Sequence, residues 1–190
     1  GGTTQTGSFG LDTGAASNDR GSFILIDAWG NGTGARPKLS LSSLSGYGWF
    51  RSDWGGTDPG DRPRTISVDQ SVDTTFNGDI DENNNSTRQI GLEKLGSGKL
   101  ILAGWSDHSG GTTIEGGTLQ IERADSIGVA NLAASTTDVT VEDGTLDLSF
   151  DGTSGAYASA TTHYTALFRT LTLGGAAGAT QLFDRVADAG

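Results

Sequence analysis

Residues 92–128 read LEKLGSGKLILAGWSDHSGGTTIEGGTLQIERADSIG. Short apolar segments (Leu100 with Leu102, then Ile114, then Leu119 with Ile121) are each closed off by glycine. Part of the pattern then returns. TTIEGGTLQI at 112–121 is echoed by TVEDGTLDL at 140–148, so that Gly117, Thr118, Leu119 and Ile121 align with Gly144, Thr145, Leu146 and Leu148, each 27 residues further on. A strand-turn unit recurring at that interval is the signature of a solenoid. Such a unit cannot bury its apolar face alone, so its copies must stack.

The composition agrees with stacked strands. The 190 residues include 31 glycines and only 3 prolines, a glycine share about twice the average. These glycines sit beside short strands without a collagen period, so they read as turn residues that tolerate positive φ. No segment keeps a helical periodicity beyond a few turns. Ser22–Ala28 (SFILIDA) is a nearly continuous apolar strand, and Lys38–Leu44 (KLSLSSL) alternates with Leu39 and Leu41 on one face. Thr65–Phe76 places Ile66 with Val68, then Val72 with Phe76, and TLTL at 170–173 precedes a Gly-Gly turn. Short, closely spaced strands without intervening helices disfavour a βαβ fold. An antiparallel sandwich is the competing all-β arrangement, but the repeat favours a parallel β-helix. No linker divides the chain, so residues 1–190 are expected to form a single β-solenoid domain.

Charge excludes some partners. The formal net charge is -11, with three lysines (Lys38, Lys94, Lys99) and arginines scattered except for Arg62 and Arg64. Nucleic-acid binding needs clustered basic residues, so no nucleic-acid partner is expected. Cysteine is absent, which rules out disulfides. No apolar run reaches the roughly 18 residues needed to span a bilayer, and no signal peptide is visible. Methionine is absent even from position 1, so a processed product or a section of a longer polypeptide is expected.

With the residues laid out, a family resemblance emerges. Leu92-Glu93-Lys94-Leu95-Gly96-Ser97-Gly98 followed by Lys99-Leu100-Ile101-Leu102-Ala103-Gly104, and then Gly110-Gly111-Thr112-Thr113-Ile114-Glu115-Gly116-Gly117-Thr118-Leu119, resembles the autotransporter-associated β-strand repeat, or passenger-associated transport repeat. Its pattern is L-x-K-x-G-x-G, then L-x-L-x-G, a polar excursion, and G-G-T-x-Φ-x-G-G-T-L. The resemblance covers residues 92–128. It implies a right-handed parallel β-helix, secreted or displayed on a bacterial outer surface, and it carries no catalytic residues to transfer. The chain departs from the pattern at Asp81–Gln89 (DENNNSTRQ), which reads as a loop inserted at one edge of the solenoid, where binding faces often form.

Several constellations invite a chemical reading. Asp79-x-Asp81-x-Asn83-x-Asn85 spaces oxygen atoms like the start of a calcium loop. It lacks the glycine at the sixth position, and Ile90 stands where the bidentate Glu belongs, so a solvated turn is the better expectation. Ser106-Asp107-His108 sits within one short excursion, whereas triads are assembled from separate segments. His163 lies in no recognisable motif. Carboxylates recur at Asp138, Glu142, Asp143 and Asp147, at Asp53, Asp58 and Asp61, and as a stacked pair at Glu115 and Glu142, with no spacing that identifies a glycosidic acid and nucleophile. The aromatic stretch from Gly46 (GYGWFRSDWGGTDPGDRPR) offers Tyr47, Trp49, Phe50 and Trp54 as rings able to stack on a sugar. Its structural alternative is a loop folded back on the solenoid flank.

These readings converge on a structural or adhesive element of an autotransporter-like passenger, not an enzyme, with no cofactor and no metal. The absence of visible caps at either end further suggests end-to-end self-association of copies into an extracellular filament. A carbohydrate-binding adhesin that meets a surface glycan, or a polysaccharide-degrading β-helix enzyme, is the alternative.

Overall fold

A computed structural model describes residues 6–7, 23–25, 38–51, 64–82, 89–123, 126–127, 138–148, 170–173 and 180–182. The predicted Trp54, His163, Asp53, Asp58, Asp61, Asn83 and Asn85 fall outside these residues. Every regular element among them is a strand, and every strand pair is parallel. Three sheets form the walls of a β-helix. The first holds seven strands in the order β1 (Thr6–Gly7), β3 (Lys38–Leu41), β5 (Arg64–Asp69), β8 (Ile90–Leu95), β10 (Thr112–Ile114), β12 (Asp138–Val141) and β14 (Thr170–Leu173). The second runs β6 (Thr74–Phe76), β9 (Lys99–Leu102), β11 (Thr118–Ile121), β13 (Thr145–Asp147) and β15 (Thr180–Leu182). The third contains β2 (Phe23–Leu25), β4 (Trp49–Arg51) and β7 (Asp79–Asp81). From β5 to β8 the chain passes the first, second and third face before it returns to the first, one rung higher. The fold is the parallel β-solenoid expected from the repeat.

Strand alternation sends every second side chain inward, and in-register pairing stacks like on like. On the second face Leu100, Leu119 and Leu146 form one inward row, and Phe76, Leu102 and Ile121 form another. On the first face Leu41, Val68, Ile114 and Val141 are all buried in one row. The 27-residue echo is this register itself: Thr118 pairs with Thr145, and Leu119 with Leu146. Burying each such Leu or Ile contributes about 1.5–3 kcal/mol, and the rows merge into one core. One expectation needs correcting. Val72 does not share the inward row of Phe76; it lies in the turn after β5 and is 58% exposed. Gln70 occupies the interior of that turn instead, where its amide nitrogen donates to the carbonyls of Val72 (3.0 Å) and Lys99 (2.7 Å).

The corners explain the glycines. At two corners the parallel rungs place backbone directly on backbone. A Cβ on Gly104 would sit 1.9 Å from the Gly78 carbonyl oxygen, and a Cβ on Gly78 would sit 2.3 Å from that of Gly48. At the opposite corner Gly117 has a φ of +61°, and its Cβ would lie 2.5 Å from the Gly98 oxygen. Only a residue without a side chain fits these positions.

Lys94 interrupts the apolar row between Val68 and Ile114. Its side chain faces inward with 0% exposure. The ammonium donates to the carbonyls of Leu95, Gly96 (3.0 Å) and Gly116 (3.2 Å). Its three donors therefore clamp the turns of two successive rungs. Burial lowers its pKa, opposed by the nearby Asp69 and Asp73. This is the lysine of the L-x-K-x-G-x-G pattern, and its role is structural.

Two substitutions test these corners. Gly104→Ala should lower the free energy of unfolding by about 1–3 kcal/mol through overpacking, read as a lower urea midpoint at constant slope. Lys94→Met should cost about 2–3 kcal/mol by leaving turn carbonyls unsatisfied. A midpoint that stays level or rises in Lys94→Met would show the ammonium to be a burial cost rather than a clamp.

Candidate functional site

Both interruptions of the repeat leave from one corner, between the third and first faces. One connection joins Arg51, the end of β4, to Arg64, the start of β5; one rung later another joins Glu82, just after β7, to Gln89, just before β8. Arg51 is paired with Asp81, and Arg64 with Ile90. The starts and returns of the two segments are therefore neighbours on adjacent rungs. In the following rung the excursion from Gly104 to Gly111 runs along the third face at Ser106 and then crosses the same corner to β10.

The outward surface beside this corner is built by alternation. Phe50 and Ile80 point into the core, each with 1% exposure, so Trp49, Arg51, Asp79 and Asp81 face outward. Phe50 therefore cannot stack on a ligand; its ring packs against Phe76 at 5.5 Å between centroids. Trp49 and Tyr47 are half-buried, and the Arg51 guanidinium lies over the Trp49 ring at 5.7 Å. Arg51 also pairs with Asp81 at 3.5 Å. A parallel bridge between Ile80 and Ser106 extends this face by one rung. Trp105 thereby falls in register with Asp79, and its backbone N–H donates to the Asp79 Oδ1 at 3.0 Å. Trp49, Asp79 and Trp105 form one row. Sequence reasoning selected Trp49 and missed Trp105. Its offset of 26 residues from Asp79 equals that of the paired Ile66 and Leu92 and of Phe76 and Leu102, a register that the pairing reveals and the 27-residue echo does not.

Behind this row lies a buried polar network. Glu82 is the closure at the base of the inserted segment. Its Oε1 accepts from the backbone N–H of Ile90 (2.5 Å) and of Ser109 (2.6 Å), and its Oε2 accepts from the Ser109 hydroxyl (2.7 Å). The Asp107 carboxylate in turn accepts from the Glu82 N–H at 2.6 Å. His108 is fully buried. Its Nδ1 meets the Ser106 hydroxyl, and its Nε2 meets the Thr112 hydroxyl at 2.8 Å. A nucleophile relay needs a carboxylate on the ring nitrogen opposite the serine; Thr112 occupies that place, and no substrate reaches a ring with 0% exposure. Asp107 instead ties the excursion to Glu82 of the rung beneath it, while Ser106 and His108 brace it against Thr112 at the start of β10.

The other predicted groups are dispersed. Asp79 and Asp81 lie on β7 and are engaged with Trp105 and Arg51. Among the described residues no cluster of three or more His, Asp or Glu could hold a metal ion. Glu115 and Glu142 follow the paired Ile114 and Val141 and are exposed at the turn. Asp138 and Asp147 lie on different faces, with Glu142 and Asp143 in the exposed turn between them.

Burial raises the Glu82 pKa from 4.5 to about 7, against its hydrogen bonds and with a small push from Asp107. Burial also holds His108 at about 4, below its ordinary 6.5. The two shifts act in opposite senses. The folded state binds the Glu82 proton more readily than the unfolded chain, so this contribution is full below pH 4.5 and lost as pH rises through 7. His108 refuses a proton that the unfolded chain accepts, so its contribution is full above pH 6.5 and lost as pH falls through 4. Each shift corresponds to about 3 kcal/mol, and between pH 4.5 and 6.5 the two cancel. Relative to the parent chain, Glu82→Gln should lose stability as pH falls from 7 to 4.5, and His108→Asn should gain it as pH falls from 6.5 to 4. Denaturation series at several pH values would reveal both; parallel profiles for the three proteins would contradict the cancellation.

Comparison with known proteins places the rung around this corner in a recognised class. The passenger-associated-transport-repeat family matches residues 92–121. The Adhesin BmaC autotransporter of Brucella suis biovar 1 (strain 1330) is 39% identical over 61 residues, which are 32% of this chain and 1% of that protein. No solved structure matches the chain significantly. The matched residues run from β8 through β11 and include the Lys94 clamp, the Trp105 excursion and His108. The chain carries a passenger-associated transport repeat, built into a parallel β-solenoid.

Proposed function

We propose that this chain is a non-enzymatic segment of a secreted or surface-displayed autotransporter passenger. In this reading it acts as a rigid scaffold that presents the corner between the third and first faces for adhesive contact. The observation that carries the reading is the coincidence of the passenger repeat at 92–121 with a rung that is continuous with its neighbours on both sides. Rigidity follows from the ladders and the single core. Presentation follows from the shared corner, where both departures from the repeat begin and end. The matched relative is named an adhesin, which supports the adhesive part. The stretch spans 1% of that protein's length, so the proposal concerns a segment and not a whole molecule.

An antiserum raised against residues 1–190 tests display directly. It should label intact cells of the source organism, or detect the chain in cell-free culture medium. Labelling that requires permeabilised cells, with nothing released to the medium, would contradict the proposal.

A further inference from the structure

The Glu82 side chain closes the corner between the third and first faces, and we propose that it is a clasp. It makes residues 83–88 an exchangeable connection, whose length and sequence can change while the rungs keep their register. This concerns how the corner is built and holds wherever the chain is displayed, so it goes beyond the display reading and does not depend on it. Two successive rungs carry the argument. The bridge between Ile80 and Ser106 puts Glu82 and His108, which follow them at the same interval, at equivalent places. On the first face Leu92 pairs with Thr112, and the Ile90 carbonyl accepts from the Gly110 N–H at 2.9 Å. Ile90 and Gly110 are therefore equivalent as well. Glu82 and Ile90 stand 8 positions apart in sequence, whereas only Ser109 separates His108 from Gly110. Gln89 thus answers to Ser109, and residues 83–88 are surplus to the rung.

Residues that flank the surplus make the junction. Glu82 is 3% exposed. Its Oε1 accepts from the Ile90 N–H of its own rung at 2.5 Å and from the Ser109 N–H of the next rung at 2.6 Å. Its Oε2 accepts from the Ser109 hydroxyl at 2.7 Å, and its own N–H donates to Asp107 at 2.6 Å. On the returning side the Gln89 carbonyl accepts from the Arg64 N–H at 2.8 Å. The two ends are tied to each other, to the rung below and to the rung above. His108 does the corresponding work where there is no surplus, since its Nε2 meets the Thr112 hydroxyl at the start of β10. In both rungs a buried polar side chain joins the end of the third face to the start of the first. With the ends fixed in this way, a longer connection adds only closure entropy, which grows slowly with length.

Two variants of the 1–190 chain test the exchange. One deletes residues 83–88, which gives the crossing the length of its neighbour; the other replaces them with a Gly/Ser stretch of twice the length. Both should unfold cooperatively in urea with the parent's slope, and nuclear Overhauser contacts should still join Leu92 to Ile66 and to Thr112. Loss of cooperative unfolding or a shifted register in either variant would overturn the proposal. Hydrogen exchange tests the clasp itself. In Glu82→Ala the amides of Ile90 and Ser109 lose their acceptor and should exchange about tenfold faster than in the parent. Glu82→Gln keeps a carbonyl oxygen for both amides and should retain the parent's rates. Unchanged exchange in Glu82→Ala would show a side chain that only fills space, and would overturn the clasp. If Glu82→Ala does not fold, Glu82→Gln decides: protection of both amides is expected, and fast exchange at either one refutes the assignment.

Discussion

Direct contact of backbone with backbone at two of the three corners is the constraint on which the structure depends. In a parallel β-helix the turn of one rung rests on the turn below, with no side chain between. Gly48, Gly78 and Gly104 stack in this way at one corner, and Gly98 and Gly117 at another. Once the corners are in register, the strands between them pair residue for residue, and the rows of Leu, Ile and Val follow. A shift of one residue would turn each inward row outward. The corner glycines therefore fix the core as much as the core residues do.

The same close stacking leaves turn carbonyls pointing into the interior, and buried carbonyls need donors. Lys94 supplies three hydrogen bonds at one rung, and Gln70 does related work one rung earlier. On the far side of the core, Glu82, Asp107 and His108 satisfy the excursion and the base of the inserted segment. A polar interior of this kind is tolerable because each group has partners, and it specifies which turn sits on which. The rung that carries the family pattern holds the buried Lys94, Asp107 and His108, so its pattern records packing requirements.

Much of the architecture was legible in the sequence, because glycine spacing and apolar pairs express the stacking directly. The 27-residue echo became the Leu119–Leu146 register without adjustment. Inward polar residues were not legible: Lys94 and His108 look like surface residues until the rung places them inside. Phe50 and Trp49 are adjacent rings with opposite fates, and the side each faces depends on the phase of a three-residue strand. Val72 failed for a related reason, since a turn occupied by Gln70 resets the alternation. For the candidate site, Trp49 was visible as an aromatic in an unusual segment. Trp105 was hidden inside the family repeat, and only the bridge from Ile80 to Ser106 brings the two into one row.

The account therefore stands on parallel, in-register stacking, and nuclear magnetic resonance of the isotopically labelled chain tests it most directly. Cross-strand nuclear Overhauser contacts should connect Leu119 with both Leu100 and Leu146, and Asp79 with both Trp49 and Trp105, in the parallel pattern. Strong Hα–Hα cross-peaks between neighbouring strands, as antiparallel pairs produce, would instead indicate a sandwich and would contradict the solenoid and everything placed upon it.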